Sequence, residues 1–395
     1  MKKKLKEIDY DTVFYIVLGL FCILLFITTK YSLRLANYII IPMAVYKICK
    51  NKKYEKTGFE YYILAFILAI GISSIGAFNF RSIRDEFLDT LTMLLVFLSI
   101  SQFSIKDRLL QYVLAGGLLG YTYKISISYL ERFGYIKGLY GGLRISGGEE
   151  VWRYAPMITF GVIIVLCLLI FRKNSYRENI GLILLLFITL DVLIKTQNRG
   201  NWVAVIGCFL LMMVLKFKRK AIVPIIIFVV ILFGISQKYR DNMYVQRLNS
   251  IVKNGDKARV ELWKASVEIF ERNPINGVGY SYKNFINAET PEKYVYLPKH
   301  GHGHSHNSML YVLATMGIFG FLSYIALTLK ILWFSFKNRD LDYSIVFFMI
   351  LSIQIFSFFE TPVKYLDLTG IQMVALGILF NLKKWKNYRI YRVKS

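Results

Sequence analysis

All four histidines of this chain fall within seven residues, His300 to His306, at the head of the stretch HGHGHSHNSMLYVLATMGIFG that ends at Gly320. Imidazole is the side chain whose ordinary titration lies between about pH 5 and 8, so proton transfer near neutral pH has one address in this sequence. Three readings are open there. The HxHxHxH spacing puts alternate residues on one face of an extended segment and suits Zn²⁺ or Ni²⁺, although no cysteine and no obvious carboxylate completes such a set. Gly301, Gly303 and Ser305 equally suit a solvated loop without chemistry. In the third reading His306 is a general base. It adjoins Asn307 at the start of an apolar helix, whose partial positive charge favours neutral imidazole and attracts an anionic group. Asn307 then either orients the imidazole or caps the helix.

Four arginines form a second set. Arg199 sits in KTQNRGNW between two apolar runs. It is either a snorkelling anchor to lipid headgroups or an anion site, with Gly200 allowing close approach to the backbone. Arg259 begins the segment Ala258 to Arg272; Asp256 is its nearest acidic neighbour, and no carboxylate follows at i+3 or i+4. A guanidinium beside an apolar surface suits bidentate contact with phosphate. Arg144 and Arg153 flank GGLRISGGEEVWR, whose glycines either make a plain loop or let the chain fold over a substrate.

The elements that must position these residues are helices in a membrane. The chain has 395 residues, 55% of them hydrophobic, and a net charge of +25. Its mean hydropathy is +0.46. Runs of about 18–20 apolar residues match the ~30 Å hydrocarbon core of a bilayer. They are expected at 12–29, 34–49, 60–79, 86–103, 109–130, 154–171, 180–196, 201–216, 221–237, 307–335, 342–360 and 366–382. The 34–49 run is short and contains Pro42. The MKKKLKEIDYD start reads as the flank of an uncleaved first helix. Clusters of Lys and Arg, from Lys2–Lys6 through Lys47–Lys56, Lys106 and Arg108, Arg172–Arg177, Lys216–Lys220, and Lys337 and Arg339 to the tail from Lys383, fall on one side of this arrangement. The positive-inside rule makes that side cytoplasmic, with both termini there. Positive charge distributed in this way sets topology, and no nucleic-acid partner is expected. Three expected regions follow: helices over 1–237, an outer loop over 238–306, and the last helices with a cytoplasmic tail over 307–395. Within the loop, Val260, Trp263, Val267 and Phe270 form an apolar stripe at helical spacing, opposite Lys257, Glu261, Lys264, Glu268 and Glu271, and Asn273-Pro274 ends that helix. Cys22, Cys49, Cys167 and Cys208 suggest no disulfide framework. No Walker loop, GxGxxG, CxxC or HExxH is present, so work on the outer face must draw on an activated substrate or a gradient.

His306-Asn307, nine residues, then Gly317-Ile318-Phe319-Gly320 resembles the HN–x9–GxxG motif of bacterial O-antigen ligases and related polysaccharide polymerases. QNRGNW and ARVELWKASVEIFERNPINGVGY are similar to that family's arginine-glycine turn and loop segment, so the resemblance covers roughly residues 140–380. It implies an all-α polytopic protein of about twelve transmembrane helices with one large periplasmic loop, like the C-type glycosyltransferases. It also implies an inner-membrane enzyme moving a glycan from undecaprenyl diphosphate to lipid A–core, with inversion and without a metal or cofactor. His306 stands at the position of the base, with Arg259 and Arg199 on the diphosphate. Arg144, a looser match, Arg153, His304, Asn307 and Tyr280 complete the candidate substrate site, and Tyr280, Tyr282, Phe285, Tyr294 and Tyr296 are candidates to stack on sugars. A polymerase joining lipid-linked glycans uses the same donor chemistry. A transporter with a metal-binding histidine loop is the alternative of another class; the few charges within the spans, such as Asp191 with its i+4 neighbour Lys195, speak against it.

Overall fold

In lipid a backbone amide finds no water, so apolar runs of this length must close their hydrogen bonds internally. The computed structural model describes residues 9–105, 107–141, 144–223, 225–226, 257–289, 293–294, 296, 303–337 and 340–394, side chains excepted at 107–108 and 385–394. Among these residues the regular elements are all helical. They are α1 (Tyr10–Ile27), α2 (Thr29–Leu35), α3 (Ile41–Asn51), α4 (Glu60–Ser73), α5 (Phe80–Ser101), α6 (Asp107–Arg132), α7 (Val151–Phe171), α8 (Tyr176–Lys195), α9 (Arg199–Phe217), α10 (Lys257–Arg272), α11 (Tyr282–Ala288), α12 (Ser308–Phe336), α13 (Leu341–Phe356) and α14 (Leu366–Lys394). Each expected span except the ninth falls on a helix. Most of 221–237 lies outside the described residues, as do 238–256, His300 and His302. Five helices among the described residues are long and apolar enough to cross a membrane: Tyr10–Ile27, Val151–Phe171, Arg199–Ala221, Ser308–Phe336 and Leu366–Lys384.

The short run with Pro42 is helical throughout. A π-turn over Ala36–Ile40 joins α2 to α3, and Pro42 takes a first-turn position of α3. The wider turn accommodates the residue that lacks an N–H, so the proline does not stop the chain.

The chain forms two compact units, one of Met1–Ile63, Leu88–Ser126 and Leu366–Ser395, the other of Leu64–Phe87 and Ile127–Tyr365. In the first, Phe14, Leu18, Phe21, Met93, Val96 and Phe103 pack as one apolar core, and the rings of Phe14 and Phe103 stack at 3.5 Å. Asn381 Nδ2, buried here, donates to Ile100 O at 2.8 Å and to Tyr15 Oη at 3.1 Å.

The second unit is built around α7, nearly all of which is buried from Tyr154 to Cys167. Thr159 on α7 donates to Asn201 Oδ1 on α9 at 2.9 Å. The α8–α9 turn is closed by Trp202 Nε1 donating to Leu193 O at 3.1 Å. Asp191 pairs with Lys195 at 3.3 Å as expected, and also with Arg132 at 2.5 Å.

Helix α12 is broken at Gly317 (φ 62°, ψ −161°). The segment after α10 repairs the break. Val278 N donates to Ala314 O at 3.2 Å, Gly279 N to Thr315 O at 2.9 Å, and Ile318 N to Pro274 O at 2.9 Å. A Cβ on Gly317 would strike the backbone of Ile275, and one on Gly277 the backbone of Thr315 and Met316. The NPINGVG stretch and the first glycine of GIFG are thus two halves of one seam.

Candidate active site

The site is assembled where α12 begins and α13 ends. Asn307 caps α12, its Oδ1 accepting from Met309 N at 3.0 Å and Leu310 N at 3.1 Å. Ser308 N donates to Ser357 O at 2.9 Å, which ties the start of α12 to the end of α13. His306, just before the cap, has φ 49°, a left-handed conformation that histidine adopts at some cost. That turn sets the His306 ring beside the His304 ring, with centroids 4.4 Å apart.

Both imidazoles meet Glu360. His306 Nδ1 lies 3.0 and 2.9 Å from its two carboxylate oxygens. His304 Nδ1 lies 3.4 Å from Oε1 and 3.2 Å from Thr361 Oγ1. Glu360 is 4% exposed. It also accepts from Thr361 N at 3.1 Å and from the Tyr365 hydroxyl at 3.4 Å. Burial works to raise its carboxyl, but the hydrogen bond and charge of His306, the charge of His304 and the Thr361 N–H outweigh it and hold Glu360 below the usual carboxylate value. Lys364 stands behind the loop, donating to Gly303 O at 3.2 Å between the rings of Tyr282 and Tyr311. Burial pushes its ammonium down, against the opposing pull of Glu86 and Glu360.

Arg199 opens α9, next to this corner. A Cβ on Gly200 would press on Phe359 and Phe356 at 2.9 and 3.0 Å. Gly200 therefore serves close packing of α9 on the end of α13. Arg144 is tied to the same turn through its neighbour: Ile145 N donates to Lys195 O at 3.1 Å. Its guanidinium lies over the Tyr140 ring at 5.8 Å. Arg153 lies half-buried in the first turn of α7, its N–H donating to Glu150 O at 2.9 Å. Arg259 lies half-buried in the first turn of α10, which packs on α12. The structure brings His304, His306 and Asn307 together directly and sets the start of α9, which carries Arg199, against the end of α13.

Three expectations change. Asn307 spends its side-chain oxygen on the cap, so it is not a substrate ligand through that atom. Tyr280 is 1% exposed, its ring against Phe66 and Tyr311 and its hydroxyl on Val363 O at 3.4 Å. It and the fully buried Phe285 are core, with no face open to a sugar, whereas Tyr282 and Tyr296 are exposed. On α10 the buried stripe is Leu262, Ala265, Ser266 and Ile269. Val260 (45% exposed) and Val267 (39%) face outward instead.

Two acids escaped the sequence reading. Glu360 was counted as the last residue of the span 342–360, but α13 ends at Phe356 and Glu360 stands in the turn before Pro362. An acid two residues before a proline, at the end of an apolar run, was the available signal. Glu131, at the end of α6, accepts from Ser146 N at 3.0 and 2.9 Å, from the Ser146 hydroxyl at 3.1 Å and from Gly147 N at 2.8 Å. It holds the loop that bears Arg144. Replacing Glu131 by Ala leaves these buried donors without their acceptor and is expected to cost on the order of 3 kcal/mol. A lower melting temperature and faster proteolysis within residues 133–150 would show it; Glu131→Gln, which keeps one acceptor oxygen, should fall between.

These features define the class: an all-α, multi-pass membrane protein with a histidine–carboxylate site at a helix end. Residues 184–325, about a third of the chain, match the family model described as O-antigen ligase, which supports membership of that superfamily. The chain is also similar to an uncharacterized protein of Haemophilus influenzae, 23% identical over 305 residues and covering 72% of each chain.

Proposed function

We propose that this protein is an O-antigen ligase. It transfers a glycan from undecaprenyl diphosphate to a hydroxyl of lipid A–core at the periplasmic face of the inner membrane, with about twelve spanning helices and both termini cytoplasmic. The observation that carries the reading is the contact of His306 Nδ1 with Glu360. With Nδ1–H donating to the carboxylate, the proton-accepting role falls to Nε2, the arrangement a general base needs.

In the reaction the acceptor hydroxyl loses its proton to Nε2 as its oxygen bonds to the anomeric carbon. The bond from that carbon to the phosphate oxygen breaks on the opposite face, and undecaprenyl diphosphate leaves with its electron pair. The configuration inverts. Glu360 offsets the charge the imidazole gains. The leaving group needs neutralisation more than a proton, and Arg199 and Arg259 supply it in a site of low dielectric. Arg144 and Arg153 border the glycan, and exposed Tyr282 offers it an aromatic face.

The test uses purified protein, undecaprenyl-diphosphate glycan and chelator, with lipid A–core present in one tube and omitted from the other. Glycan on lipid A–core with wild-type protein supports the ligase. Chain lengthening of the donor in both tubes would make the enzyme a polymerase and sink this acceptor assignment. Arg259→Lys keeps the charge but loses the bidentate fork, so kcat/KM should fall about 10–100-fold, the worth of one charge-assisted hydrogen bond. Full activity in that variant would move the phosphate site elsewhere.

A further inference from the structure

The corner that holds the general base also has the donor set of a metal site. His304 Nδ1, His306 Nδ1 and a Glu360 oxygen all lie within 4.8 Å of one another. Glu360 Oε1 lies 3.0 Å from His306 Nδ1 and 3.4 Å from His304 Nδ1. For Zn²⁺ with N and O ligands at about 2.0–2.1 Å, the edge of the coordination tetrahedron is roughly 3.3 Å. The two carboxylate–imidazole pairs already have about that spacing.

His304 Nδ1 also meets His306 N–H at 3.3 Å and Thr361 Oγ1 at 3.2 Å. The sequence reading lacked a carboxylate to complete a histidine set, and Glu360 is that carboxylate.

We propose that His304, His306 and Glu360 form a site for a borderline transition-metal dication, with Zn²⁺ as its type ligand, and that occupation switches the base off. Two imidazoles and one carboxylate select against Mg²⁺ and Ca²⁺, which take oxygen ligands. With the ion on His306 Nδ1, the ring proton resides on Nε2. The lone pair that accepts the substrate proton is gone, and Glu360 exchanges its hydrogen bond for the ion. The inhibitory effect rests on the base assignment made above; the binding does not.

Binding is read on tag-free purified protein in detergent, by competition of Zn²⁺ with a chromophoric chelator and by zinc X-ray absorption. The expected result is one equivalent of Zn²⁺ with a shell of nitrogen and oxygen ligands that includes two imidazoles. Mg²⁺ at millimolar concentration should leave it in place. His304→Ala and Glu360→Gln should each weaken binding by more than the ~10–100-fold that loss of an outer-shell partner costs. A variant lacking both His300 and His302 should bind as wild type does. Loss of binding in that variant with retention in His304→Ala would overturn the site, as would no stoichiometric Zn²⁺ in the wild type. Transfer assayed with and without Zn²⁺ then reports the second arm. Binding with full activity would sink the switch and the His306 base together, while leaving the metal site standing.

Discussion

His306→Ala folds like the wild type and loses transfer by about 10²–10⁴-fold, the usual worth of a positioned general base. The variant removes a half-buried ring from a loop, not from a core, and Asn307 still caps α12. Near-normal transfer would end the assignment. Glu360→Gln tests the other half of the pair. The amide fills the same space but carries no charge to offset the imidazolium, and its NH₂ group can displace the Nδ1–H tautomer. We expect kcat to fall at least about tenfold with KM for the lipid-linked donor unchanged, since Glu360 acts through His306 and not on substrate. The double variant settles the coupling. If Glu360 works only through the ring, His306→Ala with Glu360→Gln is no slower than His306→Ala alone. A further additive loss would give Glu360 an independent role and remove it from the proton path.

Much of this architecture was legible in the chain because a bilayer imposes a simple length rule. The expected spans fall on helices wherever the structure describes them, and α10 begins and ends within a residue of its expected limits. What the pattern did not fix was which face of α10 is buried. Val260, Trp263, Val267 and Phe270 form one apolar stripe at helical spacing, but Leu262, Ala265, Ser266 and Ile269 form another, and it is the second that is buried. Residue types that do chemistry were also easy to find when rare, as with four histidines in seven residues. Glu360 was hidden for the opposite reason. Its importance comes from the turn that ends α13, and a hydropathy count reads straight through that turn. Tyr280 shows the same limit: an aromatic in a polar loop reads as a ligand surface until Phe66 and Tyr311 are seen to occupy its faces.

The seam between the loop and α12 carries the largest expected effect on stability. Gly317 has φ 62° and ψ −161°, a region closed to residues with a Cβ, at a cost of about 1–3 kcal/mol before any collision. A Cβ there also meets the Ile275 backbone, so the loop must lift away. Lifting it frees Ala314 O and Thr315 O and the Ile318 N–H, whose partners are Val278 N, Gly279 N and Pro274 O. Each buried group left unpaired costs a further ~1–3 kcal/mol. Gly317→Ala should therefore lower stability by well over ~3 kcal/mol, to be read as a fall in melting temperature or in yield of monodisperse protein. Gly277→Ala attacks the same seam from the other side, with φ 67° and the Thr315–Met316 backbone in its path. Since either change opens the whole seam, the pair should cost less than the sum of the two. Gly181→Ala is the control: it lies in α8 with nothing within 4 Å of the added carbon, and should be neutral or stabilise by up to about 1 kcal/mol. Additive losses for Gly317 and Gly277 would mean that the two glycines serve separate structures. The spacing of eleven residues from His306 to Gly317 would then owe nothing to the loop that carries Arg259.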